Sequence, residues 1–181
     1  MSVATGSELD RPATIAATVY LSVLGASVFI VQPGFVQGLV QALGFSEREA
    51  GYVASAEVWG IAATTVWLAL GGHRHSWRRI LGLRTLLFSL SNIASTLVSG
   101  FLPFSMIRFV AGIGAGGMVS VTFLLMGLTR LPDRNFGFVI MGVLGYGALG
   151  LWAIPLALAS IGMNGVLLFF ALLALALLLV L

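Results

Sequence analysis

Runs of about 20 apolar residues follow one another along this chain with only short breaks, and a run of that length is what a helix needs to cross the ~30 Å hydrocarbon core of a bilayer. Six segments qualify or nearly so: 13–40, 50–70, 80–99, 102–128, 136–160 and 162–181. Residues 1–12 precede them as a polar tail of mixed charge that contains Glu8, Asp10 and Arg11. The tail does not read as a secretory signal, because the apolar run behind it is too long for a signal's hydrophobic stretch. Composition agrees with lipid as the solvent. Hydrophobic residues make up 59% of the chain and charged residues only 8%, against roughly 25% charged residues in an ordinary soluble domain. Mean hydropathy is +1.08. The 23 glycines also fit membrane helices, where small residues permit close approach. The expected fold class is all-α integral membrane, with six transmembrane helices in one domain over residues 13–181.

The breaks alternate in charge. The first holds Glu47, Arg48 and Glu49, the second His73, Arg74, His75, Arg78 and Arg79, and the fourth Arg130, Asp133 and Arg134. The third, near Gly100, and the fifth, near Gly162, carry none. Arginine and lysine in short loops mark the cytoplasmic side. With the N-terminus inside, the cytoplasmic set is Arg11, Arg74, Arg78, Arg79, Arg84, Arg130 and Arg134, seven against Arg48 alone outside. The expected topology therefore puts both ends of the chain in the cytoplasm, in a multi-pass protein of a bacterial inner (plasma) membrane. The chain reaches Leu181 inside an apolar run, so a longer polypeptide, of which this is the first half, is expected.

Several classes of function are disfavoured. There is no cysteine, hence no disulfide framework or thiolate chemistry. Every basic residue other than histidine is arginine, so the phosphate-binding lysine of a P-loop motor is missing. No His, Asp or Cys lies within any expected span, which leaves an intramembrane enzyme without a base, nucleophile or metal ligands. His73 and His75 flank Arg74 and make a poor metal site. No cofactor, metal or nucleic-acid partner is expected. The pI near 10.2 reflects loop arginines that set topology and face lipid headgroups.

Two charges fall inside the spans. Glu57 lies about seven residues into the second, or ~10 Å deep, and Arg108 lies ~9 Å into the fourth, counted from the same side at 1.5 Å per residue. A charge at the centre of a span costs about 2.5–3.5 kcal/mol on insertion scales, and such groups seldom face lipid. Glu57 and Arg108 are expected to face the bundle interior and to interact. The functional reading makes Glu57 a titrating group for substrate or proton coupling, and the plainer one makes the two a structural ion pair. Gln32 (beside Pro33), Asn92, Tyr146 and Trp152 fall in the same zone and are candidates to orient a small substrate. Asn92 also suits an interhelical hydrogen bond, and Trp152 a packing or interfacial aromatic. Gly112 and Gly116 give the fourth span a small-xxx-small face for close packing.

These patterns converge on a resemblance. Leu43-Gly44-Phe45-Ser46 is followed by Ala50-Gly51-Tyr52 and Ser55. A tight second loop opens Gly71-Gly72 and closes Arg78-Arg79. The fourth span reads Arg108-Phe109-Val110-Ala111-Gly112-Ile113-Gly114-Ala115-Gly116. Over essentially its whole length the chain resembles the N-terminal six-helix half of a major facilitator superfamily transporter. The Arg-then-glycine pattern is similar to the family's fourth-helix motif, with Ala111 where the family has Gln. The loop carrying Arg74, Arg78 and Arg79 stands where the family's most characteristic loop stands. The Gly-Pro pair typical of antiporters is absent from the fifth span, so that branch is not assigned.

The resemblance implies two inverted three-helix repeats, a cavity shared with a C-terminal six-helix half, and alternating access. It implies a secondary transporter of a small organic solute, by symport or antiport, with protons as the expected coupling ion. The competing expectation is a membrane scaffold or assembly protein that transports nothing, or a half-size transporter that works as a homodimer.

Overall fold

The computed structural model describes residues 6–71 and 76–178. Among these residues the chain is helical throughout, with no strand. A short α1 (Gly6–Leu9) precedes α2 (Pro12–Ile30) and α3 (Gln32–Leu43). The latter two are one rod with a break at Val31, which sits at φ −94°, ψ 17°. Pro33 causes the break: it has no N–H for the carbonyl four residues back, and its ring disfavours helical geometry at Gln32. Gly44 ends the rod in a left-handed cap at φ 69°. The expected first span is thus a kinked helix.

Ser46 then starts α4 (Glu47–Gly71) with a capping box. The Ser46 N–H donates to Glu49 Oε2 at 2.9 Å, and the Glu49 N–H donates to the Ser46 hydroxyl at 3.3 Å. Next come α5 (Trp77–Ser95), α6 (Phe101–Gly127) and α7 (Pro132–Leu178).

The last of these is a hairpin rather than a rod. Gly142 lies against Val19 and Val23, Gly150 against Val31, and Gly38 against Leu158 and Met163. Up to there α7 ascends with the first helix. Beyond it the direction reverses, because the Tyr20 hydroxyl donates to the Leu173 carbonyl at 3.1 Å. The turn is Gly162, at φ 69°, ψ −179°, which only a residue without Cβ adopts freely. The expected fifth and sixth spans are the limbs 132–161 and 163–178 of this element.

One end of the molecule therefore holds the turns at Ser46, Gly100 and Gly162. The opposite end holds Pro12, Gly71, Trp77 and Pro132. At that second end the Arg130 N–H donates to Asp10 Oδ1 at 2.9 Å, which ties the start of the chain to the α6–α7 turn. At the Ser46 end Phe45 packs edge-on against Phe101 and Phe104, with centroids 6.5 and 5.8 Å apart.

Four helices are long and apolar enough to cross a bilayer: Pro12–Ile30, Glu47–Gly71, Phe101–Gly127 and Pro132–Ala176. The segment expected at 80–99 is α5, which stops at Ser95 and does not meet that measure. The reason is chemical. It opens with Arg78, Arg79 and Arg84, and its inward face is polar, with Thr85, Ser89, Ser91, Asn92 and Ser95 buried. Those hydroxyls do not need water: Thr85 donates to the Leu81 carbonyl at 2.8 Å and Ser89 to the Thr85 carbonyl at 2.9 Å. The outside of the molecule is the apolar part, with Leu70 80%, Trp152 71% and Trp59 70% exposed. Water does not tolerate that distribution; lipid does, and the protein is membrane-embedded.

The centre is α6. It is 61% buried over its apolar window, against 28–39% for the other three long helices. It packs on α4, α5 and α2 and scarcely touches α7.

Candidate functional site

Glycines fix where α6 meets its neighbours. A Cβ on Gly60 would collide with the Phe109 carbonyl, and one on Gly112 with the Glu57 carbonyl. One on Gly116 would come within 2.7 Å of the Ile61 backbone. The α4 and α6 backbones thus touch, which only small residues permit. Successive contacts ascend in both helices, so the two run parallel. Glu57 projects from α4 and Arg108 from α6 one turn before Gly112, and the crossing holds them at one level.

On the other flank a Cβ at Gly114 would sit 2.7 Å from the Phe88 nitrogen and 2.8 Å from the Arg84 carbonyl. This second close approach, antiparallel, carries Asn92 of α5 to the same level. Three helices therefore converge on one guanidinium.

Arg108 Nη2 donates to Glu57 Oε1 at 2.5 Å and Nε to Oε2 at 3.2 Å, a two-pronged pair. Nη1 donates to Asn92 Oδ1 at 3.1 Å. The Asn92 amide nitrogen donates to the Phe88 carbonyl at 2.9 Å, which turns the amide oxygen toward Arg108. From the first helix, the Phe35 ring lies 5.1 Å from the guanidinium carbon, close enough for a cation–π contact. Arg108 and Asn92 are completely buried and Glu57 is 5% exposed. With that burial neither charge is usefully solvated, so each is viable only because of the other. A carboxylate and a guanidinium held this way satisfy each other's charge inside the bundle.

The other expected site residues are distributed as follows. Gln32 is half-buried at the start of α3 and lines a small void together with Glu57. Tyr146 is half-buried on α7, where its hydroxyl meets Ser27 of α2, and it packs into the core rather than onto the ion pair. Trp152 does not join the site. Its neighbours Gly150 and Ile154 face the first helix, and two residues along a helix is a turn of about 200°, so Trp152 points outward. Gly112 makes the helix contact expected of it, as does Gly116. Arg78 and Arg79 are exposed at the start of α5, with Arg78 5.2 Å from the Trp77 ring. Arg74 lies outside the described residues, as do His73 and His75.

Phe35 is a member of the site that polarity does not flag. It follows Gln32 by three residues, one turn on and therefore on the same face, which is the signal that would have found it. Arg84 also has a setting that was not foreseen. Its stem fills the notch at Gly117, and its guanidinium lies 5.2 Å from the Trp67 ring. No family model, no curated protein and no solved structure matches the chain.

Proposed function

We propose that this chain is the N-terminal six-helix half of a secondary active transporter of the major facilitator type. It moves a small organic solute by alternating access, driven by protons. The observation that carries the reading is the Glu57–Arg108 pair: a fully buried, two-pronged ion pair at the crossing of two apolar helices, with Asn92 and Phe35 fixing the arginine. Stability alone does not call for such a pair, because apolar residues of similar volume are often as stable or more so. Inside a membrane an ionisable residue is a functional-site hypothesis by default.

Three further features support the reading. The limbs of α7 bring the helical passes in alternating direction to six, counting the kinked first helix as one. The described arginines of the loops and termini gather at the Pro12 end, apart from Arg48, and this supports reading that end as the cytoplasmic one. The limb 132–161 packs chiefly on the first helix and turns Ile140, Met141, Leu144, Leu149 and Trp152 outward. A second six-helix unit fits against such a face. The pattern of two inverted three-helix repeats belongs to this proposal. So does the assignment of the chain as a transporter and not an enzyme or a scaffold.

The test is transport. The protein expressed from its native gene is reconstituted into proteoliposomes and offered a panel of small organic solutes, with and without an imposed pH gradient. At least one solute should accumulate in the gradient, and Glu57→Gln should abolish the proton flux that accompanies it. If no solute responds to the gradient, or if Glu57→Gln leaves uptake and proton flux unchanged, the reading fails.

A further inference from the structure

At the Pro12 end a groove runs between α2 and the start of α7. Its α2 wall is residues 12, 15, 16, 19, 20 and 23, which recur every three or four positions and so share one face. Arg134 and Phe138, one turn apart on α7, stand opposite. The groove encloses about 670 Å³, within the ~300–1,000 Å³ usual for sites that take small molecules. It ends where the two helices come together: a Cβ on Gly142 would stand 3.0 Å from Val23 and 3.2 Å from Val19. Pro12 and Val23 lie ~16 Å apart along α2 at 1.5 Å per residue. Half of a ~30 Å hydrocarbon core is ~15 Å. The groove is thus about as long as one leaflet is deep.

Polarity is graded along that length. From Ile15 to Val23, and at Phe138, the walls are apolar. Tyr20 adds its ring, since its hydroxyl is committed to the Leu173 carbonyl. The charges stand at the mouth, Asp10 just before α2 and Arg134 in the first turn of α7. Arg134 is exposed, lies 5.9 Å from the Phe138 ring and pairs with no carboxylate among the described residues. Asp10 is half-buried. Its Oδ1 accepts from the Arg130 N–H, whereas Oδ2 is enclosed and has no hydrogen-bond partner among the described residues. No arginine among them pairs with it either. An enclosed carboxylate is costly without a counter-charge.

We infer that the groove holds one phospholipid of the leaflet at the Pro12 end. An acyl chain lies along Val19, Val23 and Phe138, the phosphate sits at Arg134, and a headgroup ammonium sits beside Asp10. The planar fork of arginine suits a phosphate, and the ammonium supplies the counter-charge that Asp10 lacks. A glycerol headgroup brings no cation to Asp10. A choline headgroup brings a cation without an N–H to donate. A primary amine, as in phosphatidylethanolamine, meets both charged groups. This site needs only the membrane and stands whether or not the chain transports a solute.

Native mass spectrometry tests the site on the full chain, released from nanodiscs of phosphatidylethanolamine, phosphatidylcholine and phosphatidylglycerol in equal parts. One phosphatidylethanolamine should be retained over each of the other lipids by about fivefold, the worth of one charge near a membrane surface. Asp10→Asn keeps an acceptor for the Arg130 N–H and should bring phosphatidylethanolamine down to the phosphatidylcholine level. Arg134→Gln should lower retained phosphatidylethanolamine by about fivefold. Arg78→Gln, which removes an exposed arginine of α5, should change nothing. Ala16 is exposed within the groove, so Ala16→Trp should displace the lipid with both charges in place, and it decides the matter if a charge variant fails to fold. Equal retention of the three lipids by the wild type overturns the inference, as does a preference for phosphatidylglycerol. So does a bound phosphatidylethanolamine that Asp10→Asn, Arg134→Gln and Ala16→Trp all leave in place.

Discussion

Two arginines enter the apolar body of this protein, Arg108 on α6 and Arg84 on α5 against a glycine of α6, yet the molecule treats them in opposite ways. Arg108 is wholly buried and has a carboxylate, an amide and an aromatic face around it. Arg84 is half-buried, lays its stem in the notch of Gly117 and rests its charge beside Trp67, with no acid between Glu57 and Asp133 in the sequence to meet it. The difference lies in distance to the headgroups. Arg84 is seven residues from Trp77, ~10 Å along the helix, within the reach of an extended side chain that snorkels toward the interface. Arg108 has no such exit beneath Phe104, so its counter-charge must be built in.

The largest test of this contrast removes each arginine in turn. Arg108→Ala leaves Glu57 buried and uncompensated and should cost about 3–5 kcal/mol in reversible unfolding from bicelles, whereas Arg84→Ala should cost about 1 kcal/mol or less. Replacing the pair together, Glu57→Leu with Arg108→Met, should recover most of the loss. A double variant as unstable as Arg108→Ala would mean that the charges themselves hold the helices together.

The glycines separate next. Gly112→Ala pushes backbone against backbone at Glu57 and should cost about 1–3 kcal/mol. Gly117→Ala meets only the flexible stem of Arg84 and should cost clearly less in the same assay. Equal losses would show that the two arginines are seated equally rigidly.

Asn92→Leu strips one acceptor from Arg108 and should cost about 1–3 kcal/mol. In a cycle with Arg108→Met its effect should largely vanish. The smallest effect is Trp67→Leu, expected to reduce stability through Arg84 by about 0.5–1 kcal/mol. A cycle with Arg84→Ala isolates that share, and a value near zero would leave Arg84 held by its stem alone.

The contrast also explains what could be read in the chain beforehand. Turns were legible because single residues dictate them: Pro33 breaks the first helix, Gly44 caps it, and Gly162 alone permits the reversal in α7. The meeting of Glu57 and Arg108 was legible from depth, since two costly charges at one level have few alternatives. The surroundings of the pair were not. Residues 112, 114, 116 and 117 are all glycine, but Gly112 and Gly116 admit α4 while Gly114 and Gly117 admit α5. That division depends on how three helices rotate about one another, which no single helix records. The outward azimuth of Trp152 on α7 was hidden for the same reason, because depth along a helix does not record which way a residue faces. Phe35 was missed because an aromatic in an apolar helix looks alike whether it faces lipid, a core or a guanidinium. The polar face of α5 lowered its hydropathy without exposing it, and hydropathy alone does not register hydroxyls bonded within their own helix.

The hydrogen bond from Tyr20 to Leu173 spans 153 residues of sequence. At a synthesis rate of ~5–20 residues per second, the first helix waits about 8–30 s after its own emergence before the returning limb exists to cover it. The earliest-made helix is therefore sealed last, like a ring closed by its final link. In the meantime its flank lies open to whatever else the membrane offers, lipids and newly made neighbours included.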